Sequence, residues 1–122
     1  MSVGFHGKFC TVVDGQRCTW LIQSLVTATA HLPVVEIPTS DLDEYLDMNG
    51  WFDENRKPTP RAIAEHWKRM QAADLSCPII LSKVHGLMDG MHRLMKAHAT
   101  GQRTIKAVVL DEAPPPDIMS PV

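Results

Sequence analysis

The sequence predicts an α+β domain in which short strands and helices alternate around a small mixed sheet. Strand-like apolar runs at 78–81 and 104–110 enclose a helix-like segment, and another helix-like segment begins at Thr59-Pro60. Interleaved strand and helix patterns favour a mixed fold over an all-α or all-β fold. A chain of 122 residues fits one domain and can bury a core without disulfides or metal staples.

The first 31 residues are predicted to form an extension made of a hairpin and a helix. Asp14-Gly15 is a strong turn signal between two β-prone pieces within residues 8–20. A short helix is expected from about Trp20 to Ala30, and Pro33 would end it.

The next segment is predicted to hold one buried strand, one short helix and one loop. Residues 34–37 have the apolar character of a buried strand, which Pro38 would close. Ser40 is the expected N-cap of the short helix, and residues 49–60 resemble a loop. Trp51 and Phe52 are the large apolar groups of that loop, so they either anchor it to the core or stack on a base.

Thr59-Pro60 predicts the clearest helix, because threonine is a good N-cap and proline suits the first helical position. Ile63, Trp67 and Met70 lie at helical spacing and are expected to face the core.

The C-terminal half is predicted to add the main strands. Residues 78–81 form a strand and 84–88 a turn with a second short strand, then a helix over 91–100 is ended by Gly101. The last strand is expected at 104–110, with Ile79, Ile80 and Val108 in the core. Residues 111–122 are acidic and rich in proline, which predicts a loose tail.

Composition narrows the classes of function. The chain is 44% hydrophobic and 21% charged, with a net charge of −2, so it lacks the basic footprint of most nucleic-acid binders. The opening residues have no long apolar run, and no stretch approaches a membrane span. The cysteines and histidines lack the spacing of a metal site, so no metal ligand is predicted. The three cysteines are read as reduced thiols, which favours the cytoplasm.

The candidate site is the turn Asp89-Gly90-Met91-His92-Arg93. Cations in the first turn of a helix oppose the helix dipole, so His92 and Arg93 require a partner there. A bound phosphate would supply one, since Gly90 permits close approach, the first helical N–H groups are free, and Arg93 can grip an anion. The alternative is an ordinary turn with solvated side chains.

The stretch PIILSKVHGLMDGMHRLMKAHATGQRTIKAVVL resembles the ParB/sulfiredoxin superfamily, in which a strand, a G-x-[HR]-R helix start and a G…I-x-A-x-V strand occur in this order. The upstream VVEIPTSDL resembles that family's first strand, so the resemblance covers residues 32–110 and is greatest to small stand-alone ParB-like proteins. It implies a ParB/sulfiredoxin-like domain over 32–110 that binds nucleotide phosphates at Gly90, Met91, His92 and Arg93.

Departures from the family pattern limit the activity that the resemblance implies. Met91 stands where sulfiredoxins have the catalytic cysteine, and a thioether supplies no thiolate. The chain is also too short for the helix-turn-helix domain of chromosome-partitioning proteins. In ParB-like amino-acid kinases a carboxylate elsewhere acts as the base, and Glu36 and then Asp89 are the candidates here.

Three classes of function are therefore considered, in decreasing order of expectation. The first is a binding or sensor module for a nucleoside triphosphate, with Mg²⁺ carried by the nucleotide. The alternative is a phosphotransferase or nucleotide hydrolase, and a DNA-binding or nuclease protein is the third possibility. Neither the oligomeric state nor the nucleotide follows from the sequence.

Overall fold

Two small sheets and four α-helices make up residues 7–122, the part of the chain that the structure, a computed structural model, describes. In chain order the elements are β1 Lys8–Val13, β2 Gln16–Leu21, α1 Ile22–Thr29, β3 Val35–Pro38, a 3₁₀ helix Thr39–Leu42, α2 Asp43–Leu46, α3 Pro60–Ala72, β4 Ile79–Ser82, β5 Gly86–Asp89, α4 Met91–Ala99, β6 Thr104–Leu110 and β7 Ile118–Pro121. The α+β class predicted from the interleaved patterns is confirmed.

The central sheet has the order β3-β6-β4-β5. β4 runs parallel to β6, and the other two pairings are antiparallel. Every residue of β4 is buried, as its uninterrupted apolar run indicates, because this strand lies inside the sheet and is covered on both faces. The connection from β4 to β6 passes through β5 and α4, which brings the start of α4 to the edge of the sheet.

Two clusters of apolar side chains cover the two faces of the central sheet. Ile79 packs with Leu94 and Ala97 of α4, whereas the neighbouring Ile80 packs with Trp20 and other residues of β2 and α1. This alternation is the period of two that a strand imposes on its side chains. The predicted core positions Ile79, Ile80 and Val108 are confirmed, with exposed fractions of 4% or less.

The predicted hairpin is confirmed, and its turn has the expected chemistry. Asp14 and Gly15 both have positive φ, 51° and 77°, which is the combination that a two-residue turn of type I′ requires. Trp20 is predicted at the start of α1 but lies in β2, and its exposed fraction is 3%.

The prediction of a loose tail over 111–122 is wrong. β7 pairs with β2, so the terminal sheet has the order β1-β2-β7. The Trp20 indole donates to the carbonyl of Pro114 at 2.6 Å. Asp117 accepts hydrogen bonds from the Leu21 N–H at 2.8 Å and from the Ser24 hydroxyl at 2.9 Å, so this tail residue caps the beginning of α1.

Asp117→Ala is expected to lower the free energy of unfolding by about 1 kcal/mol, the usual cost of losing a helix cap. Urea denaturation measures the change. Asp111→Ala is the matched control, because the Asp111 carboxylate is 81% exposed and joins Lys83 in a surface ion pair of little energetic weight. Equal stabilities of the two variants would contradict the capping role.

Helix α3 begins as predicted but is rotated relative to the prediction. Thr59 caps it, accepting from the Ala62 N–H at 3.2 Å. Met70 is buried, as expected, but Ile63 and Trp67 are 53% and 55% exposed. The inward face instead carries His66, four residues before Met70, at a position that lies against α4.

Two smaller predictions in the preceding segment are also wrong. β3 is an edge strand whose residues are exposed or half-buried, because only β6 pairs with it. Ser40 does not cap a helix, since it lies inside the 3₁₀ helix that leads directly into α2.

None of the helices formed by residues 7–122 combines the length and the apolar character that crossing a membrane requires.

Candidate functional site

The turn between β5 and α4 is built around the backbone of Gly90. This residue is the N-cap of α4, with φ 118° and ψ 23°, and it offers no side chain to cap the helix. A Cβ added at Gly90 would overlap Ile79 Cγ2 and lie 2.8 Å from Ile79 Cβ. Glycine is therefore required twice, by the backbone angle and by the contact with β4.

Arg93 is bound to three groups of its own protein. Its guanidinium donates to an Asp89 carboxylate oxygen at 2.8 Å, and both side chains are only 16% exposed. A second guanidinium nitrogen donates to the carbonyls of Pro78 at 2.5 Å and Cys77 at 3.3 Å. Arg93 thus ties the start of α4 to the end of β5 and to the chain entering β4.

The ion pair supplies a partner that the sequence left unidentified. A cation in the first turn of a helix is unfavourable alone, but the Asp89 carboxylate lies against it and restores the balance of charge. Arg93 therefore has the partner it requires already in the free protein. An incoming phosphate would meet a guanidinium whose charge is already matched.

Asp89 is largely buried, and burial disfavours the ionised form of its carboxyl group. Burial raises the pKa of the Asp89 carboxyl above its ordinary value, although the charge and hydrogen bond of Arg93 and the Gly90 backbone N–H act in the opposite direction. A carboxylate with a raised pKa suits a general base, but this one is held by Arg93.

His92 forms one corner of an aromatic cluster with His66 and Trp51. The His66 Nδ1 and His92 Nε2 atoms are 2.9 Å apart, which is a hydrogen bond. The two ring centroids are 5.2 Å apart, and the ring planes differ by 16°. The centroid distance exceeds the distance between the two nitrogens by about two ring radii, as it does when the rings meet edge to edge. The two imidazoles therefore lie side by side and edge to edge, sharing one hydrogen bond.

Trp51 covers both of these rings at once. Its centroid lies 3.9 Å from that of His66 and 4.7 Å from that of His92, with interplanar angles of 10° and 14°. Phe52 contacts His66 edge-on at 5.6 Å. Trp51 and Phe52 do anchor their loop, but they do so on the histidine pair rather than in the apolar core.

Both histidines are neutral at pH 7. Burial, the neighbouring His66, and the cations Arg69 and Arg93 lower the pKa of His92 from 6.5 to about 4. Burial and Arg69 also lower the pKa of His66. His92 therefore adds no cation to the first turn of α4 at pH 7, and it contributes hydrogen bonds but no charge to this site.

The other candidate base, Glu36, lies far from the turn. It is on β3, whereas Asp89 ends β5, and these strands are the opposite edges of the central sheet. Three strand spacings of about 4.8 Å separate them, so the two candidate carboxylates do not share a site.

His66 is the residue that sequence reasoning missed. Ala62, His66 and Met70 follow at spacings of four along α3, so the helical repeat contained the signal. It was overlooked because Ile63 and Trp67 are more hydrophobic and suggested a face one position further along.

The turn lies outside the two concavities measured on the described chain. Two shallow concavities of the described chain measure about 340 and 420 Å³. The first is beside the C-terminal end of α4 and the second beside α1, and residues 89–93 line neither. Within residues 7–122, no cluster of three or more histidine, cysteine or acidic side chains is arranged to hold a metal ion.

No family model, no curated protein and no solved structure matches this chain. The resemblance to the ParB/sulfiredoxin superfamily therefore stays a prediction based on the sequence motifs.

Proposed function

We propose that this protein is a nucleotide-binding module that receives phosphates at the start of α4 and a base beside Trp51. One observation carries the proposal: the structure brings Trp51 into contact with His92, a residue of the α4 first turn 41 positions later in the chain. An aromatic surface and a helix N-terminus thus lie side by side. That is the pairing of features that a base and its phosphates need.

The phosphate half of the proposal rests on the backbone of the turn. The first N–H groups of a helix have no partners within it, and Gly90 provides no side chain to occupy them. Met91, His92 and Arg93 are half-buried, and the proposal requires that an anion reaches their backbone N–H groups from solvent. The Arg93 ion pair would then hold the turn in shape instead of gripping the phosphate.

Binding without turnover is favoured over phosphoryl transfer. Asp89 is bound to Arg93, and Glu36 lies across the sheet. In the resembled kinases the base must accept a proton from the hydroxyl acceptor, and neither carboxylate is free and close enough to do so. Mg²⁺ would enter with the nucleotide rather than on a site of the protein. The proposed setting is the cytoplasm, where free thiols such as that of Cys77 stay reduced.

Titration of ¹⁵N-labelled protein with ATP, CTP and GTP, each with Mg²⁺, tests the proposal. At millimolar nucleotide, the backbone amide signals of Met91, His92 and Arg93 are expected to shift most. Inorganic tripolyphosphate should produce the same shifts more weakly, since it has phosphates but no base. If these amides stay unchanged with every nucleotide, the proposal is wrong.

Trp51→Ala separates the base contact from the phosphate contact. Stacking of a base on an aromatic ring contributes about 1–3 kcal/mol, so the variant should bind nucleotides about tenfold more weakly. Its affinity for tripolyphosphate should be unchanged. Trp67→Ala is the matched control, because Trp67 is an exposed tryptophan on the outer side of α3. Equal losses for nucleotide and tripolyphosphate would contradict a base contact at Trp51.

A further inference from the structure

The Trp51 loop, residues 47–59, joins α2 to α3 and is attached to the protein body by aromatic contacts. In the described chain, the hydrogen bonds of residues 49–56 connect members of that stretch only to one another. The loop's aromatic side chains reach outward, with Trp51 on His66 and His92 and Phe52 on His66. The position of the loop therefore depends on the arrangement of two titratable rings.

The hydrogen bond between these rings limits how many protons the pair can hold. One nitrogen must donate and the other must accept across the 2.9 Å between His66 Nδ1 and His92 Nε2. A first added proton can occupy an outward-facing nitrogen and leave this bond intact. A second proton places N–H against N–H, so the bond is lost and two cations face each other.

The charges around the pair also disfavour its protonation. Arg69 on α3 and Arg93 on α4 both oppose protonation of His92. Of the carboxylates nearest the two rings along the chain, Asp89 is bound to Arg93, and Glu65 pairs with Lys68 at 3.5 Å. On the loop, Asp53 and Arg56 bind each other at 2.9 Å, and neither acts on the rings. A single imidazolium would be attracted to the face of Trp51, but two would also repel each other and the arginines.

We propose that His66 and His92 form a proton-operated latch that holds the Trp51 loop over the start of α4 and releases it when both rings are charged. The neutral or singly protonated pair keeps the loop closed. The doubly protonated pair opens it, which moves Trp51 away from the first turn of α4.

The direction of the pH dependence follows from the two histidines. In the closed state the pKa of His66 is below 6.5 and that of His92 is about 4, whereas in the open state both approach 6.5. The closed state therefore binds fewer protons. The stability of the closed state relative to the open state is therefore greatest above pH 6.5, and it decreases progressively as the pH falls from 6.5 towards 4. Because both rings are partly exposed to solvent, we expect a change of roughly tenfold in the closed-to-open ratio.

Fluorine NMR of protein labelled with 5-fluorotryptophan can follow the latch without any nucleotide. The chain has three tryptophans, of which Trp20 is buried in the core and Trp67 is exposed. Between pH 7.5 and pH 4.5 the Trp51 signal is expected to move reversibly towards that of a solvated ring. The Trp20 ring is not a neutral reference, because its centroid lies 5.1 Å from that of His85. Far-UV circular dichroism over the same pH range should stay constant, since the core remains folded.

His66→Gln/His92→Gln removes both protonation sites while keeping groups that can hydrogen-bond. In this double variant the Trp51 signal should no longer depend on pH. His98→Gln, which removes an exposed histidine at the other end of α4, should retain the full dependence. Three outcomes would overturn the latch: a Trp51 signal constant with pH in the wild type, an unchanged pH dependence in the double variant, or a loss of circular dichroism with the same midpoint as the Trp51 signal.

Discussion

Gly90→Ala is expected to lower the free energy of unfolding by about 3–5 kcal/mol. Part of this cost is conformational, because φ is 118° and a side chain is disfavoured at positive φ. The larger part is steric, since the new Cβ would overlap Ile79, a core residue that is 0% exposed and cannot move aside. Urea denaturation at pH 7 measures the loss.

Gly15→Ala is the matched control for the backbone contribution. Gly15 also has positive φ, 77°, but a Cβ there meets no atom of the described chain within 4 Å. It should therefore lose only about 1 kcal/mol. If both variants lost the same amount, the contact between Gly90 and Ile79 would not determine the identity of this residue.

Features that depend on neighbouring residues were predictable from the sequence. The Asp14-Gly15 turn, the Thr59 cap and the end of α4 before Gly101 all follow from local backbone preferences. The predicted span of β6 is confirmed at Thr104–Leu110, because its second half, 107–110, is an unbroken apolar run that pairs with β4 inside the sheet.

Features set by distant partners were not predictable in the same way. Pro114 and Asp117 lie more than 90 residues from Trp20, Leu21 and Ser24, which hold the acidic tail in place. The composition of that tail says nothing about these contacts. The orientation of α3 depends on the histidine of α4 that it faces, and a scale of hydrophobicity ranks His66 below Trp67.

The same distinction between local and distant contacts applies to the candidate site. Gly90 as the helix start was predicted from the sequence, and the structure agrees. The Asp89 partner of Arg93 was four residues away and could have been identified, because residues at that spacing meet at the start of a helix. The carbonyls of Cys77 and Pro78 depend on how β4 enters the sheet, so only the fold brings them to Arg93.

Arg93→Ala is expected to lower the free energy of unfolding by about 2–4 kcal/mol at pH 7. The change removes the hydrogen bond to the Pro78 carbonyl and leaves the Asp89 carboxylate, 16% exposed, without its cation. A buried charge that has lost its partner costs more than the pair contributed. Urea denaturation of both proteins at pH 7 gives the difference.

The same variant should regain stability as the pH falls. Burial already raises the pKa of Asp89 above 3.8, and loss of Arg93 removes the main influence that lowers it. The folded variant then binds a proton at Asp89 more tightly than the unfolded chain does. The contribution of Asp89 to stability is therefore complete below pH 3.8 and is lost as the pH rises through the raised value. We therefore expect the difference in the free energy of unfolding between wild type and variant to be smaller at pH 4 than at pH 7.

Arg93→Ala/Asp89→Asn is the control, because without the carboxylate this part of the pH dependence should vanish. A gap that is the same at both pH values would show that Arg93 stabilises the fold through the Cys77 and Pro78 carbonyls and not through Asp89.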